Sequence, residues 1–485
     1  MEFLREKLKL RLYQEQILFK IHDKNSFVVL PTGTGKTIVG IALSAMKINK
    51  GKILIVAPTK PLCVQHQKSF SEFFEPKNEI ICLTGAILSP NRKEMWASSK
   101  IICATPQTVE SDLRKGYFSP NDFELIIIDE AHRAVGEYSY VWLANQFQKT
   151  SQILSMSASP ASTSERLKEI KNNLFVEHFE FRGEDDFSLK GYLKEKETTR
   201  VLLELLPEQK KMSLILDEML ASHIRLLFSK GVLSYRDVSK IRKGELLKLQ
   251  KKLFNAEEKE SDTFFIISEI TLCIKLLYLK EVLETQSFES FNLAIKKIET
   301  QSTTVKASKR IVGSADFKRL IKLNNNLIES SKEHPKLEKI LDLVRDPKEK
   351  IIIFAQFRNS VNEVVDKINK GTKSRAKAFV GQKSGLTQKK QIEILDQFRN
   401  DEFNVLVATS VSEEGLHIEN ADIGIFFEPV PSALRTIQRR GRIGRINIGK
   451  VYLLIMKDTI DEKYYWVSYH KERKMYDLLK NENNY

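Results

Sequence analysis

The sequence predicts an α/β protein with two lobes built on parallel β-sheets and an α-helical insertion domain between them. Short, nearly continuous apolar segments alternate with helical patterns in the first and last thirds of the chain, as expected of strands buried on both faces of a parallel sheet. The middle third is rich in Leu, Ile, Lys and Glu, contains few Gly or Pro, and shows helical periodicity, for example at Leu272 and Leu276. We expect lobe 1, the insertion and lobe 2 to occupy residues 1–188, 189–328 and 329–485.

The predicted strands are apolar segments bounded by turn-forming or polar residues. After a first strand that begins near Phe27, lobe 1 is predicted to contain strands at residues 53–57, 80–83, 101–104, 125–128 and 153–156. Lobe 2 is predicted to contain strands at residues 351–355, 375–380, 405–408, 423–427 and 451–456. The residues after Asp458 have an aromatic-rich helical pattern, which we expect to pack on lobe 2.

The first strand leads into a Gly-rich turn at the start of a helical pattern, which is the setting of a phosphate-binding loop. Gly33 and Gly35 would let backbone N–H groups close around phosphate oxygens, Lys36 would reach the β- and γ-phosphates, and the Thr37 hydroxyl would hold Mg²⁺. The usual first Gly of this motif is replaced by Leu30, and a strand-to-helix turn without a ligand is the alternative. The predicted nucleotide-binding residues of the loop are Thr32, Gly33, Thr34, Gly35, Lys36 and Thr37.

A second chemical signal follows the apolar segment 125–128, where the chain reads Asp129-Glu130-Ala131-His132. An acidic residue at the end of a buried strand beside a phosphate-binding loop can hold Mg²⁺, and a second carboxylate can orient and deprotonate the attacking water. We predict Asp129 as the metal ligand and Glu130 as the residue that acts on water. The pair is weak evidence alone and strong evidence together with the loop, because the two parts belong to one mechanism.

Composition restricts the class of protein. The formal net charge of +15 favours a polyanionic partner, although a basic surface can also serve solubility alone. The four cysteines have neither Cys-x-x-Cys spacing nor matching His pairs, so the sequence indicates no zinc site or disulfide framework. The N-terminal residues are charged, and no later stretch approaches the length of a membrane span. We expect a soluble, intracellular protein, cytoplasmic and nucleoid-associated, without a membrane partner.

Segments at residues 11–14, 31–37, 57–62, 104–108, 129–132, 157–159, 351–358, 408–418 and 438–445 form an ordered series along almost the whole chain. This series resembles the motifs of superfamily 2 helicases of the DEAH-box type, and a set of motifs in register is far more specific than any one of them. Residues 57–62, 131–136, 283–286, 379–382 and 428–433 are similar, more narrowly, to the family of archaeal Hef and the Fanconi-anaemia M translocase. Because residues 283–286 lie inside the insertion, the resemblance implies two RecA-like lobes and an accessory domain that helps to engage branched DNA.

The resemblance implies ATP and Mg²⁺ as cofactors. Arg11 and Gln14 resemble an adenine-recognising pair, and Gln438 resembles a residue that contacts the nucleotide or the attacking water. Arg442 and Arg445 resemble arginines that reach from lobe 2 to the γ-phosphate, which would tie hydrolysis to closure of the lobes. The predicted catalytic residues are therefore Lys36, Asp129, Glu130, Gln438, Arg442 and Arg445.

The resemblance also implies that both lobes contact nucleic acid. The matching positions are Lys60, Thr105, Gln107 and Thr108 in lobe 1 and Gln356, Arg358, Thr409 and Ser410 in lobe 2. Hydroxyls, amides and single cations suit contacts with phosphate and sugar, so we expect binding that is independent of base sequence. Basic clusters in the insertion, such as residues 240–243, fit either a solvated helix face or a surface that follows phosphates.

Two residues depart from the family pattern. Ser157 stands where the third motif usually has Thr, and it keeps the hydroxyl. His417 stands where the family usually has Asp, and neutral His supplies no fixed negative charge. We expect nucleotide binding to be retained and coupling or turnover to be altered at this position.

Archaeal Hef proteins commonly continue into a nuclease domain, whereas this sequence stops at Tyr485. Glu472-Arg473-Lys474 superficially resembles the nuclease signature, but it lies in a helical pattern without the strand and carboxylates that a two-metal cut requires. A separate structure-specific nuclease is therefore an expected partner, with a truncated chain as the alternative.

The sequence as a whole predicts an ATP-dependent DNA helicase or translocase acting on replication forks or Holliday junctions, in DNA repair or fork restart. One alternative is an ATP-gated sensor or clamp on double-stranded RNA that does not unwind, because such sensors resemble this layout. Another is an inactive scaffold that recruits a nuclease, which the intact Lys36, Asp129 and Glu130 disfavour.

Overall fold

The computed structural model describes residues 8–158, 160–161, 163–192, 197–256, 262–330, 332–381, 387–409, 421–429 and 449–483. Within these ranges the chain forms two parallel β-sheets, and a group of helices lies between them in sequence. The predicted fold class is therefore confirmed. None of the helices in the described part of the chain combines the length and apolarity needed to cross a bilayer.

Lobe 1 contains a seven-stranded sheet. Its strands are β1 Ser26–Val29, β2 Lys52–Val56, β3 Ile80–Leu83, β4 Ile101–Ala104, β5 Phe123–Asp129, β6 Gln152–Ser157 and β7 His178–Phe181. They lie in the order β3-β4-β2-β5-β6-β1-β7, and each neighbouring pair is parallel. The helices are α1 Leu12–Ile21, α2 Lys36–Lys47, α3 Lys60–Ser71, α4 Ser89–Ser98, α5 Pro106–Arg114, α6 Ser139–Phe147 and α7 Ser164–Asn173.

Helices cover both faces of this sheet, which explains why its strands are apolar at almost every position. In β2, Leu54 belongs to one apolar cluster, whereas Ile53 and Ile55 belong to the cluster on the opposite face. Because the strands are parallel, their carboxyl ends share one edge of the sheet, where ligands of open α/β sheets bind.

The insertion is a helical bundle. Its helices are α8 Pro207–Ser229, α9 Lys243–Phe254, α10 Thr263–Thr285, α11 Phe288–Gln301, α12 Lys306–Gly313 and α13 Ala315–Glu329. Helix α10 is central, and Leu272, Leu276 and Leu279 are buried in a core that also includes Leu216 of α8. The Leu periodicity of the sequence thus reports a helix packed against several neighbours.

Lobe 2 contains a six-stranded sheet. Its strands are β8 Glu197–Leu203, β9 Ile351–Ala355, β10 Ala376–Phe379, β11 Val405–Thr409, β12 Ile423–Phe426 and β13 Lys450–Met456, in the order β10-β11-β9-β12-β13-β8. The accompanying helices are α14 Pro335–Leu343, α15 Arg358–Gly371, α16 Gln388–Arg399 and the C-terminal α17 Ile460–Asn483.

Two strands differ from the sequence-based expectation. The insertion was expected to begin at residue 189, but β8 pairs in parallel with β13 along its whole length and is the edge strand of lobe 2. Its burial is only partial, as expected at a sheet edge, so its sequence lacks the apolar pattern of a central strand. Strand β7, at one edge of the lobe 1 sheet, was not predicted either.

Helix α17 also differs from the expectation that it packs on lobe 2. Its first half does so, since Tyr465 lies against the apolar cluster around Phe354. Its second half reaches lobe 1, where Met475 and Leu479 are part of the core and Lys171 forms a 2.8 Å ion pair with Glu482. One helix therefore contacts both lobes.

Candidate nucleotide and nucleic-acid site

The Gly-rich turn lies at the carboxyl edge of the lobe 1 sheet, between β1 and α2. Gly33 and Gly35 adopt φ angles of +82° and +80°, a region that L side chains rarely adopt. At position 35 a Cβ atom would also lie 2.7 Å from Nε2 of Gln14. Both glycines are thus required by the shape of the turn.

The turn has the features that suit a phosphate group. Lys36 is buried, and its ammonium donates to the carbonyl oxygens of Leu30 at 2.9 Å and Pro31 at 3.2 Å. The Thr34 hydroxyl donates to the Pro31 carbonyl at 2.6 Å, which closes the loop. A buried cation beside the N-terminus of α2 provides positive potential at the place where the backbone N–H groups are exposed. These residues fit a nucleoside triphosphate.

Helix α1 contacts this loop through hydrogen bonds to the Thr34 carbonyl. Nε2 of Gln14 donates to the Thr34 carbonyl at 3.2 Å, and its Oε1 accepts from the Arg11 backbone N–H at 2.9 Å. The Tyr13 hydroxyl also donates to the Thr34 carbonyl, and burial raises the pKa of Tyr13, which keeps it a donor. The Arg11 guanidinium lies 4.7 Å from the centre of the Tyr192 ring. The role of Arg11 and Gln14 towards adenine stays a prediction.

Asp129 ends β5, which is separated from β1 by β6 alone. Its Oδ2 is 2.8 Å from Nε2 of His66, and its Oδ1 accepts from the Glu130 backbone N–H at 3.0 Å. His66 lies on α3 and is 3% exposed. His66 was not predicted from the sequence, because a single His in a helical pattern carries no signal of its own.

His132 contacts both Glu130 and Ser157. Nδ1 of His132 is 3.4 Å from Oε2 of Glu130 and 3.2 Å from Oγ of Ser157. Glu130 has a φ angle of +52°, which is uncommon outside Gly and is often found at functional sites. Ser157 ends β6, between the strands that carry the loop and Asp129. The hydroxyl retained at position 157 is thus linked, through His132, to the acidic motif at residues 129–132.

The predicted nucleic-acid residues of lobe 1 follow the carboxyl ends of β2 and β4. Lys60 and Gln107 are exposed, at the start of α3 and α5. Thr105 precedes α5, and its hydroxyl is 2.8 Å from that of Thr108, which is only 5% exposed. Thr108 therefore supports Thr105 and offers little surface of its own.

In lobe 2, Gln356 and Arg358 are exposed in the turn after β9, and Thr409 is the buried last residue of β11. Both strands end at the carboxyl edge of their sheet. The structure thus groups the described residues at one edge of each sheet. Ser410, His417, Gln438, Arg442 and Arg445 lie outside the described residues, so their predicted roles are untested.

Two family models match the chain. Residues 7–162 match the model described as the res subunit of type III restriction enzymes, and residues 335–447 match the helicase conserved C-terminal domain. These matches lie within the two lobes, and the insertion falls between them. The fold and the site define a two-lobed helicase of superfamily 2.

Comparisons with individual proteins identify the family more narrowly than the two family models do. The helicase domain of Hef from Pyrococcus furiosus is 38% identical, with a TM-score of 0.77, over 96% of this chain and 100% of that one. A Methanocaldococcus jannaschii protein whose name describes an ATP-dependent RNA helicase is 38% identical over 98% of this chain and 61% of its own length. The ATP-dependent DNA helicase Mph1 of Neurospora crassa is 30% identical over 94% of this chain and 42% of its own length.

The chain therefore belongs to the Hef and Fanconi-anaemia M family of superfamily 2 helicases, which hydrolyse ATP. It spans less than two thirds of the length of these curated relatives.

Proposed function

We propose that this protein is a helicase or translocase that uses ATP hydrolysis to act on branched DNA, such as replication forks and Holliday junctions, in DNA repair or fork restart. The observation that carries the proposal is the pairing of a phosphate-binding loop and Asp129 with polar, exposed residues at the carboxyl edges of both sheets. Relatives named as DNA helicases support DNA as the substrate.

Mg²⁺ would be held by Thr37 and Asp129 together with the nucleotide phosphates, since this cation usually takes one or two protein ligands beside phosphate oxygens. It would neutralise charge that develops on the γ-phosphate. This chain's own residues would do the remaining work: Lys36 would hold the phosphates and Glu130 would orient water. Arg442, Arg445 and Gln438 would complete the site from lobe 2.

Contacts with nucleic acid would follow the backbone. Lys60, Thr105 and Gln107 on one lobe and Gln356 and Arg358 on the other offer groups suited to phosphate and sugar. A change in the distance between the lobes would change the spacing of these contacts along a strand, which turns the ATPase cycle into stepping. The basic helices of the insertion would hold the second arm of a branched substrate, and a separate nuclease would act on the product.

Two relatives carry the words RNA helicase in their names, so RNA is a second candidate substrate. The test is strand displacement with ATP on a forked DNA and on the same fork made of RNA. We expect displacement of DNA, and none with Lys36→Ala, whose ATPase rate should fall by at least about 100-fold. ATPase activity stimulated by RNA alone, without displacement of DNA, would contradict the proposal.

A further inference from the structure

The C-terminal end of α10 is attached to lobe 2 through polar side chains. Thr285, Gln286 and Ser287 are each 3% exposed or less. Polar groups buried in this way need hydrogen-bond partners, and their partners determine how the two units sit on each other. Thr285 and Gln286 fall within residues 283–286, one of the segments that resemble the Hef and Fanconi-anaemia M family.

Gln286 makes two contacts with lobe 2. Its Nε2 donates to Oε1 of Glu428, just after β12, at 3.0 Å. Its Oε1 accepts from the Ser360 hydroxyl, in the first turn of α15, at 2.7 Å. Glu428 and Ser360 are 3% and 2% exposed, so both contacts are shielded from water.

Glu428 connects Gln286 to the backbone of Gln356. Its second oxygen, Oε2, accepts from the backbone N–H of Gln356 at 3.0 Å. Gln356 opens the exposed turn that leads to Arg358 at the start of α15. Gln286 therefore holds this turn from both ends, through Glu428 at Gln356 and through Ser360 on the helix.

A neighbouring contact strengthens the attachment. The Ser287 hydroxyl donates to Oε2 of Glu363, one turn further along α15. If the turn at Gln356 moved relative to α10, these buried groups would lose their partners, which is unfavourable in the absence of water. The insertion and this part of lobe 2 are thus held together.

We infer that Gln286 is a positioning residue that sets the turn from Gln356 to Arg358 through Glu428 and Ser360, so that the insertion and the nucleic-acid face of lobe 2 move as one unit. The inference rests on the proposed function, because that function assigns Gln356 and Arg358 to nucleic acid. Gln286 itself is not among the residues proposed to contact nucleotide or nucleic acid.

The test exchanges the two side chains. Gln286→Glu alone places a second carboxylate against Glu428 in a buried position, where like charges repel. Combining it with Glu428→Gln restores the connection, since the new amide can donate to the carboxylate at 286 while its oxygen accepts from the Gln356 N–H. Gln301→Glu is the matched control, because it adds the same charge at the other end of α11, beside Lys275.

The measurement is the ATPase rate of the full chain without DNA and as a function of forked-DNA concentration. We expect Gln286→Glu to raise the DNA concentration for half-maximal stimulation by at least about tenfold while the rate without DNA is unchanged. The double variant should return this concentration to within about twofold of the unchanged protein, and Gln301→Glu should not alter it.

An unaltered DNA dependence in Gln286→Glu would overturn the inference. So would a defect that the double variant does not repair, because that would show a general structural effect. If the unchanged protein were not stimulated by DNA at all, the proposed function would fail instead, so the two failures are distinguishable.

Discussion

The orientation of Asp129 is fixed in part by residues that are distant in sequence. Its carboxylate is fixed by the Glu130 backbone N–H on one oxygen and by His66 on the other, and the Tyr140 hydroxyl donates to its carbonyl at 2.8 Å. A carboxylate held in one orientation does not have to be reordered when a cation arrives. His66 is therefore as much a part of the proposed metal site as the residue it holds.

We predict that His66→Ala lowers the ATPase rate by about 10- to 100-fold and raises the Mg²⁺ concentration needed for half-maximal activity. His66→Gln, whose amide can still donate to Asp129, should lose less. ATPase rates measured over a range of Mg²⁺ concentrations, beside thermal unfolding of each variant, provide the check. An unchanged Mg²⁺ dependence in His66→Ala would show that the contact is structural only.

The raised pKa of Glu363 should make the free energy of unfolding depend on pH. The pKa of this carboxyl is raised to about 7: burial is the largest cause, Glu289 and Glu333 also raise it, and the hydrogen bond from Ser287 and the charge of Lys367 partly offset them. Because this pKa is higher in the folded than in the unfolded state, the folded protein binds the extra proton between about pH 4.5 and 7. The resulting stabilisation is complete below that range and is lost as the pH rises through it.

The predicted size of this loss is about 3 kcal/mol of unfolding free energy between pH 4.5 and 8. Glu363→Gln removes the titration, so its unfolding free energy should fall less steeply over the same range. Denaturant unfolding at several pH values measures the difference, with Glu393→Gln on the exposed face of α16 as the control. Parallel curves for Glu363→Gln and the unchanged protein would refute this assignment.

At the scale of elements, β8 decides where the insertion can be removed. The strand pairs with β13 from Glu197 to Leu203, and the first insertion helix begins at Pro207. A deletion planned from the sequence, at residues 189–328, would take the edge strand away from lobe 2 and expose the hydrogen-bonding groups of β13.

We therefore predict different outcomes for two deletions. Removal of residues 207–329 should leave ATPase activity without DNA and reduce the preference for forked over linear duplex DNA. Removal of residues 189–328 should lower the melting temperature of lobe 2 further and promote aggregation. Differential scanning calorimetry and competition binding on both DNAs measure these effects. Equal melting temperatures of the two deletions would contradict the role given to β8.

At the scale of the whole molecule, α17 connects the lobes. Near its start, Asp461 pairs with the fully buried Lys336 of α14 at 2.5 Å, so this end is fixed to lobe 2. Near its end, Leu479 is 1% exposed within the core of lobe 1, and the Asn483 side chain accepts from the Phe181 backbone N–H at 2.7 Å. Motion between the lobes must be accommodated by this helix.

Leu479→Ala should destabilise the protein by about 2–5 kcal/mol, because it leaves a cavity where α17 packs on lobe 1. Lys474→Ala, on the exposed side of the same helix, should have little effect. Chemical denaturation followed by tryptophan fluorescence reports the change, with Trp96 and Trp142 in lobe 1 and Trp466 on α17. A loss below 1 kcal/mol would show that α17 is not anchored there.

The order of the apolar segments, the Gly-rich loop, the acidic motif and the helical insertion could all be predicted from the sequence. Each depends on local patterns: the period of apolar residues, the glycines that a turn with positive φ requires, and a carboxylate at the end of a buried strand. Central strands were found because burial on both faces makes them apolar throughout, whereas polar residues interrupt the sequences of β7 and β8, such as Glu180 and Thr198.

Contacts between distant residues were decided by the tertiary structure alone. His66 reaches Asp129 across 63 residues, Gln286 reaches Glu428 across 142, and Lys171 reaches Glu482 across 311. None of these pairs has a local pattern, because a buried hydrogen bond depends on where two elements are packed and not on the sequence around either partner. The sequence by itself determined where the Gly-rich loop, the acidic motif and the central strands lie, because each has a local pattern. Only the packing of the lobes, the insertion and α17 decided which distant residues contact one another, because a buried hydrogen bond requires both partners to be brought together.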